Sequence, residues 1–204
     1  MSSDSIPANL PLVALALGDT PDALLAGSTF PFELDRIHAI ELVPVTRAVR
    51  FRCTRSPGSF ELPLAGLVAI SFTAGLITSA RVNPHLGSLT EEEAVGVASS
   101  VVPRLVEAGY RPVAGLGKGA EALPYQLADR ERAVDTTILV GKWTYGDDAV
   151  LLELERSGSA GPDRRPGPPK HLVRVRLENG PLTRKQLAQV SGAGRDVVWE
   201  RARR

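Results

Sequence analysis

Apolar and polar residues alternate in several short stretches of the chain. In AVRFRCTR the apolar Val, Phe and Cys would face one way, while Arg50 and Arg52 face the other. HLVRVRLENG has the same pattern, with Arg174 and Arg176 at polar positions. A period of two is typical of a strand with one buried face, so both stretches are predicted to be half-buried strands.

Two further stretches have the pattern of a hairpin, which is a pair of strands joined by a tight turn. LVAISFTAGLITSARV contains Ala74-Gly75 at its centre, and VGKWTYGDDAVLLEL contains a turn that begins at Gly146. Glycine supplies the positive φ that short hairpin turns require. In the second hairpin, Trp143 and Tyr145 would share one face of the first strand.

The apolar spacing changes to that of a helix in SLTEEEAVGVASSVVPRLVEAGY, which predicts the main helix at about 88–109. The capping-box spacing is met twice, by Thr90 with Glu93 and by Ser88 with Glu91. Three consecutive glutamates lie where a helix dipole favours negative charge. The proline in SSVVPRL should kink or split this helix. A weaker helix is predicted for AEALPYQLADRERAV.

These elements together predict an α+β fold. Strands joined by short turns pair in an antiparallel manner, and one main helix would pack on a sheet of five to eight strands. We expect one α+β domain over residues 1–180, followed by a basic helical C-terminal segment over 181–204.

Composition agrees with a folded domain and adds a charge asymmetry. The 204 residues are 43% hydrophobic and 23% charged, with a net charge of +1. Residues 1–162 carry 13 Lys and Arg against 19 Asp and Glu, whereas residues 163–204 carry 11 against 4. The near-neutral total argues against attraction of the whole surface to nucleic acid or an anionic membrane, and the basic end is the exception.

The N-terminal stretch LPLVALAL is too short to span a membrane, and the first basic residue is Arg36. A signal peptide has a positive charge before its apolar core. The sequence therefore predicts neither a membrane-spanning helix nor a signal peptide here. We therefore expect a cytoplasmic protein as the chain stands, or a periplasmic one if an export signal has been removed. Cys53 is the single cysteine, which excludes an internal disulfide and a cysteine metal cluster.

No local motif for catalysis stands out. His38, His85 and His171 lie in no recognisable motif, and we expect structural or surface roles for them. GLGKG lacks both the spacing and the final hydroxyl residue of a phosphate-binding loop. We therefore expect no catalytic residue, metal site or cofactor, and we expect that the protein is not an enzyme. The third and least favoured hypothesis is an enzyme whose active site is assembled from residues distant in sequence.

The C-terminal stretch LTRKQLAQVSGAGRDVVWERARR has a small residue, a turn glycine and an aliphatic residue at Ala188, Gly192 and Val198. In this spacing it resembles the helix-turn-helix family. The resemblance implies that Thr183 caps the first helix and that Leu187 is buried. It further implies that a second helix carries DNA-binding side chains, and that the terminal arginines meet phosphates. The DNA-binding residues would be Ala193, Arg195, Asp196, Trp199, Arg201, Arg203 and Arg204.

A second interpretation of the same stretch makes it structural. A terminal helical pair would pack Leu187, Val190, Val197 and Trp199 onto the sheet and leave the arginines outside. Under this interpretation the C-terminal segment would bind no DNA. The first interpretation, a DNA-binding regulator, is kept as the alternative function of the protein.

Residues 66–155 combine a strand hairpin, a capped helix that ends in EAGY and a second hairpin with a tryptophan. In this order they resemble small bacterial proteins encoded beside toxin-secretion loci, several of which are immunity proteins. The resemblance implies a bacterial protein that binds and blocks a cognate toxin. The excess of arginine over lysine fits a bacterial genome rich in G and C.

The partner of such a protein would be another protein, and two sets of residues are candidates for its contact. If their strands were neighbours, Arg50, Arg52, Arg174 and Arg176 would form one basic stripe for an acidic partner. Trp143 and Tyr145, if exposed, would be the hot spot of an interface.

Overall fold

The computed structural model describes residues 9–34, 36–38, 40–55, 57–114, 135–157, 170–193 and 198–200. Within them, seven strands form a large sheet: β3 (Ile40–Val45), β6 (Leu67–Thr73), β7 (Leu76–Asn83), β8 (Arg111–Pro112), β9 (Asp135–Tyr145), β10 (Asp148–Ser157) and β11 (Lys170–Asn179). The other strands are β1 (Leu12–Leu15), β2 (Arg36–His38), β4 (Val49–Cys53), β5 (Phe60–Ala65) and β12 (Val198–Glu200). The helices are α1 (Pro21–Gly27), α2 (Glu91–Glu107) and α3 (Gly180–Ala193).

The predicted α+β class is confirmed. The large sheet has the strand order β3-β6-β7-β11-β10-β9-β8, and every pair in it is antiparallel. A smaller sheet has the order β1-β4-β5, in which β1 and β4 run parallel. A two-stranded pair joins β12 to β2. The weaker helix predicted for AEALPYQLADRERAV lies outside the described residues.

Both predicted hairpins are present. The turn between β6 and β7 consists of Ala74 and Gly75, with φ values of 50° and 75°. Two successive positive φ values match the right-handed twist of paired strands. The turn between β9 and β10 begins at Gly146, whose φ is 59°.

The main helix begins at Glu91 because Thr90 caps it. The Thr90 hydroxyl accepts the Glu93 N–H, and the Glu93 carboxylate accepts the Thr90 N–H, so the capping box uses this pair. The alternative cap at Ser88 is not used. The helix continues through Pro103 to Glu107, so the predicted split is wrong. Pro103 has no N–H to donate to the carbonyl of Ser99. Both residues are on the exposed side of the helix, where water can bind that carbonyl instead.

One hydrophobic core joins the two sheets to α2. It includes Phe51 and Leu62 from the small sheet, Phe72 and Leu152 from the large sheet, and Leu105 from α2. The small sheet and α2 therefore pack on the large sheet. The polar positions of the strands in the small sheet remain at the surface.

The C-terminal segment differs from the prediction. Helix α3 starts one residue after β11, and the cap is Asn179 rather than Thr183, because the Asn179 side chain accepts the Leu182 N–H. Among the helix residues whose side chains are described, Gln186 and Val190 are buried, whereas Leu187 is 42% exposed. The burial of Val190 agrees with the structural interpretation of this helix, but that of Leu187 was wrongly predicted.

The second helix of the helix-turn-helix pattern is absent at 198–200. These residues form the strand β12, in which Trp199 pairs with Ile37 of β2. The apolar Ile37 is fully buried, and its strand offers backbone hydrogen bonds that a local sequence pattern cannot reveal.

Candidate partner-binding surface

The predicted face of β4 is correct. Val49, Phe51 and Cys53 are buried, whereas Arg50 and Arg52 point outward. Their side chains are 38% and 43% exposed. The strand thus holds two guanidinium groups on the outer side of the small sheet, two residues apart and on the same face.

A carboxylate on the neighbouring strand holds both arginines in place. Glu61 of β5 is the register partner of Arg52. Arg52 donates to Glu61 Oε2 from Nε at 3.0 Å and from Nη2 at 2.8 Å. Arg50 donates to Glu61 Oε1 from Nη1 at 3.5 Å. Cross-strand pairing of opposite charges is the ordinary reason for such an arrangement.

A third arginine approaches from the helix. Nη1 of Arg104, in the last turn of α2, donates to the backbone oxygen of Glu61 at 3.4 Å. We name Arg50, Arg52, Glu61 and Arg104 the Glu61 cluster. Glu61 and Arg104 were not among the residues predicted from the sequence, since only the packing of α2 against β5 brings these positions together.

The Glu61 cluster carries an excess of positive charge. Two guanidinium groups share the Glu61 carboxylate and a third binds the Glu61 backbone oxygen, so these acceptors cannot satisfy all of the N–H donors. Arginine binds carboxylates through two parallel hydrogen bonds, so the unused donors suit acidic side chains. Because Glu61 already fixes Arg50 and Arg52, less side-chain entropy is lost when a partner binds.

Arg174 and Arg176 do not join this surface. They lie on β11 in the large sheet, whereas Arg50 and Arg52 lie on β4 in the small sheet. The two strands are not neighbours, so the single basic stripe predicted from the sequence does not exist.

The outer face of β9, β10 and β11 instead carries a charge ladder of alternating sign. Arg174 contacts Glu155 and, at 3.9 Å, Glu153. Arg176 contacts Glu153 at 3.5 Å and Glu178 at 3.7 Å, and Lys142 contacts Glu178 at 3.4 Å. The ladder has three positive and three negative members: Lys142, Arg174, Arg176, Glu153, Glu155 and Glu178. The charges of these six residues balance, and the exposed Arg81 of β7, the register partner of Arg176, adds one positive charge beside them.

Trp143 is a core residue and not an exposed interface anchor. Its side chain is 4% exposed, and the indole covers Gly141, where an added Cβ would lie 2.6 Å from Trp143 Cη2. Tyr145 is half-buried, with its ring 5.7 Å from that of Tyr110 and 5.9 Å from the Arg55 guanidinium carbon. The predicted aromatic hot spot is therefore wrong for Trp143, while Tyr145 is one wall of a polar cluster.

That cluster is centred on Asp148, which is buried at the start of β10. Its carboxylate forms an ion pair with Arg55 and accepts the Asn179 side-chain amide at 2.6 Å. The hydrogen bond to Asp148 raises the pKa of the Arg55 guanidinium. Since Asn179 also caps α3, the cluster fastens three elements and has a structural explanation.

Cys53 and Tyr110 lie beside this cluster, with Sγ and the phenol oxygen 3.9 Å apart. Burial raises the pKa of both the Cys53 thiol and the Tyr110 phenol. A thiol that stays protonated is a poor nucleophile. Cys53 therefore acts as a small buried side chain, as expected from the alternation of β4.

A cavity of about 590 Å³ lies at the start of α2 and β11. It is lined by Ser88, Leu89, Thr90, Glu91, Glu93, Lys170 and His171.

Within the described ranges no group of three His, Cys, Asp or Glu side chains is placed to hold a metal ion. Nor does any described helix have the length and apolar character needed to cross a membrane.

The residues assigned to DNA binding are only partly described. Arg195, Arg201, Arg203 and Arg204 lie outside the described residues, and Trp199 is in strand β12.

Comparison with known proteins gave no match: no family model, curated protein or solved structure is significantly similar to this chain. The fold therefore defines the class, an α+β protein with one large antiparallel sheet.

Proposed function

We propose that this protein is a non-enzymatic protein-binding module that docks on an acidic surface of its partner through the Glu61 cluster. The observation that carries the proposal is the convergence of three arginines on Glu61: Arg50 and Arg52 bind its carboxylate, and Arg104 binds its backbone oxygen. Arginine is enriched among the residues that dominate interface energies.

The contrast between the two outer faces supports this choice of surface. Six charges balance on the ladder of the large sheet, whereas the Glu61 cluster holds three arginines and one carboxylate, which only two of the arginines contact. A local excess of one sign steers an oppositely charged partner and raises the association rate. The basic patch predicted from the sequence is thus retained for Arg50 and Arg52, with Arg104 in place of the β11 arginines.

We further propose that the partner is an enzyme that this protein inhibits, as a bacterial immunity protein blocks its toxin. Occlusion requires a rigid surface and no chemistry of its own. Arg50 and Arg52 lie on a strand within a sheet, and Arg104 lies on a helix packed against that sheet. The support from the sequence is the resemblance over residues 66–155.

The test is co-expression with the products of the neighbouring genes, followed by titration calorimetry of any complex. We expect 1:1 binding, and we expect the R50Q/R52Q variant to raise Kd by about 10-fold to 100-fold, or about 1.4–2.8 kcal/mol. R81Q is the matched control, because Arg81 is an exposed arginine on β7 of the other sheet. Equal losses in both variants, or no binding to any neighbouring product, would refute the proposal.

A second titration separates a protein partner from nucleic acid. Fluorescence anisotropy with duplex DNA at low and moderate salt should give no binding, or weak binding that salt abolishes. Binding that survives moderate salt would instead favour the DNA-binding regulator.

A further inference from the structure

The connection between β7 and α2 lies across the first residues of β11. This 84–90 connection has no helix or strand of its own apart from one backbone bridge at Leu89. It passes close to Gly66, where an added Cβ would lie 2.3 Å from the His85 oxygen. The connection is attached to β11 at two points. The His85 side chain makes the first, and the His171 backbone takes part in the second.

The first attachment is the side chain of His85, which replaces a missing strand neighbour. His85 Nε2 accepts the Val173 N–H at 3.0 Å and lies 3.2 Å from the Val173 oxygen. β7 pairs with β11 only over Val175–Glu178, so Val173 lies beyond that pairing. Protonation of Nε2 would remove the acceptor of the buried Val173 N–H, and a new bond from Nε2–H to the Val173 oxygen would offset only part of that cost.

The second attachment is the backbone bridge between Leu89 and His171. Each N–H donates to the other residue's carbonyl at 2.9 Å. The His171 residue is 1% exposed, and neither ring nitrogen has a hydrogen-bond partner. An imidazolium there would be a buried charge whose two N–H groups lack acceptors.

The charges around the two rings do not offset their burial. Burial lowers the pKa of His171; the Glu91 carboxylate on α2 opposes the shift, and Arg156 on β10 adds to it. Glu93 and Lys170 also line the adjoining cavity. Burial likewise lowers the pKa of His85, and its backbone neighbours offset only part of the shift.

We propose that the 84–90 connection is an acid-sensitive latch, which protonation of His85 and His171 releases from the start of β11. The adjoining cavity gives the released segment access to water. Once released, both imidazolium groups are hydrated and His171 can approach Glu91 and Glu93. The latch is a property of this end of the sheet and does not depend on the proposed function of the Glu61 cluster.

The direction of the pH effect follows from the lowered pKa values. Each histidine binds its proton more readily in the released state, so attachment is complete above about pH 6.5 and weakens as the pH falls below it. The equilibrium constant for release should rise by up to about 10-fold per pH unit for each histidine, and by up to about 100-fold for both.

The test is hydrogen exchange of the full chain, followed by NMR at pH 7, 6 and 5 and corrected for the intrinsic chemical rate. The reporters are the amides of Leu89, His171 and Val173, which donate the three hydrogen bonds of the two attachments. Their protection should fall together with pH, while that of Ile70 and Ala80 in the β6–β7 pair should not. Constant protection of the three reporters would overturn the proposal.

Variants assign the effect to the two side chains. In H85Q/H171L the glutamine amide can still accept the Val173 N–H but cannot titrate, so the pH dependence should disappear. H38Q is the control, because His38 is exposed on β2 and should leave the dependence intact. Full pH dependence in H85Q/H171L would also overturn the proposal; if this variant fails to fold, the wild-type reporters decide alone.

Discussion

The buried carboxylate of Asp148 forms an ion pair with the guanidinium of Arg55, which lies in the loop after β4. The pair links the small sheet to the hairpin of β9 and β10, and Asn179 extends the link to α3. Three segments that are distant in sequence therefore share one carboxylate.

Replacing Asp148 by Asn should destabilise the protein because Arg55 would lose its charged partner. Loss of one member of a buried pair costs about 3–5 kcal/mol, but Arg55 is about a third exposed and can be hydrated. We therefore expect a loss of about 2 kcal/mol in the free energy of unfolding, measured by urea denaturation. D147N changes the exposed neighbouring carboxylate and should have little effect; an equal loss in both would contradict the role of the pair.

Adding one methyl group at Gly141 should also be destabilising. The new Cβ would meet the Trp143 indole at 2.6 Å, and overpacking of this kind costs about 1–3 kcal/mol. Thermal unfolding of G141A should therefore show a lower Tm. G96A is the matched control, because nothing lies within 4 Å of a Cβ there. Alanine favours an exposed helical position, so G96A should raise the stability by up to about 1 kcal/mol.

The two candidate caps of α2 predict different results for two alanine variants. T90A removes the hydroxyl that accepts the Glu93 N–H and should cost about 1 kcal/mol, whereas S88A should be neutral. The bonds from Thr90 also lower the pKa of Glu93. T90A keeps the backbone N–H bond to the Glu93 carboxylate and removes only the bond from the hydroxyl, so that part of its cost should be present above the usual glutamate range and be lost in acid.

Glu153 is the central carboxylate of the charge ladder and contacts both Arg174 and Arg176. E153Q should lower the free energy of unfolding by about 1–2 kcal/mol, because Glu153 is mostly buried and two guanidinium groups lose a partner. E107Q changes an exposed glutamate at the end of α2, where a negative charge is unfavourable, and should not destabilise. Chemical denaturation of the two variants in parallel distinguishes them.

Local signals predicted much of the fold. Thr90 and Glu93 are three residues apart, Ala74 and Gly75 are adjacent, and the faces of β4 repeat every second residue. In each case the interacting groups are close in sequence, so the pattern and the structure express the same geometry.

The candidate site depended on contacts that no local pattern contains. Arg104 meets Glu61 because a helix packs against a strand, and Arg50 and Arg174 are separated because their strands belong to different sheets. Trp143 occupies a strand position that alternation describes equally well as buried or exposed. Trp199 pairs with Ile37 from the far end of the chain, so helical spacing was a misleading guide.

The two outermost strands of the large sheet, β3 and β8, each contain a proline, Pro44 and Pro112. Proline has no N–H to offer an incoming strand, which is a recognised protection of exposed sheet edges. This matters most at β3, where Ile40 and Leu42 are 60% and 59% exposed. A row of such residues would otherwise invite fibril growth, and Pro44 interrupts the template on which a growing fibril would depend.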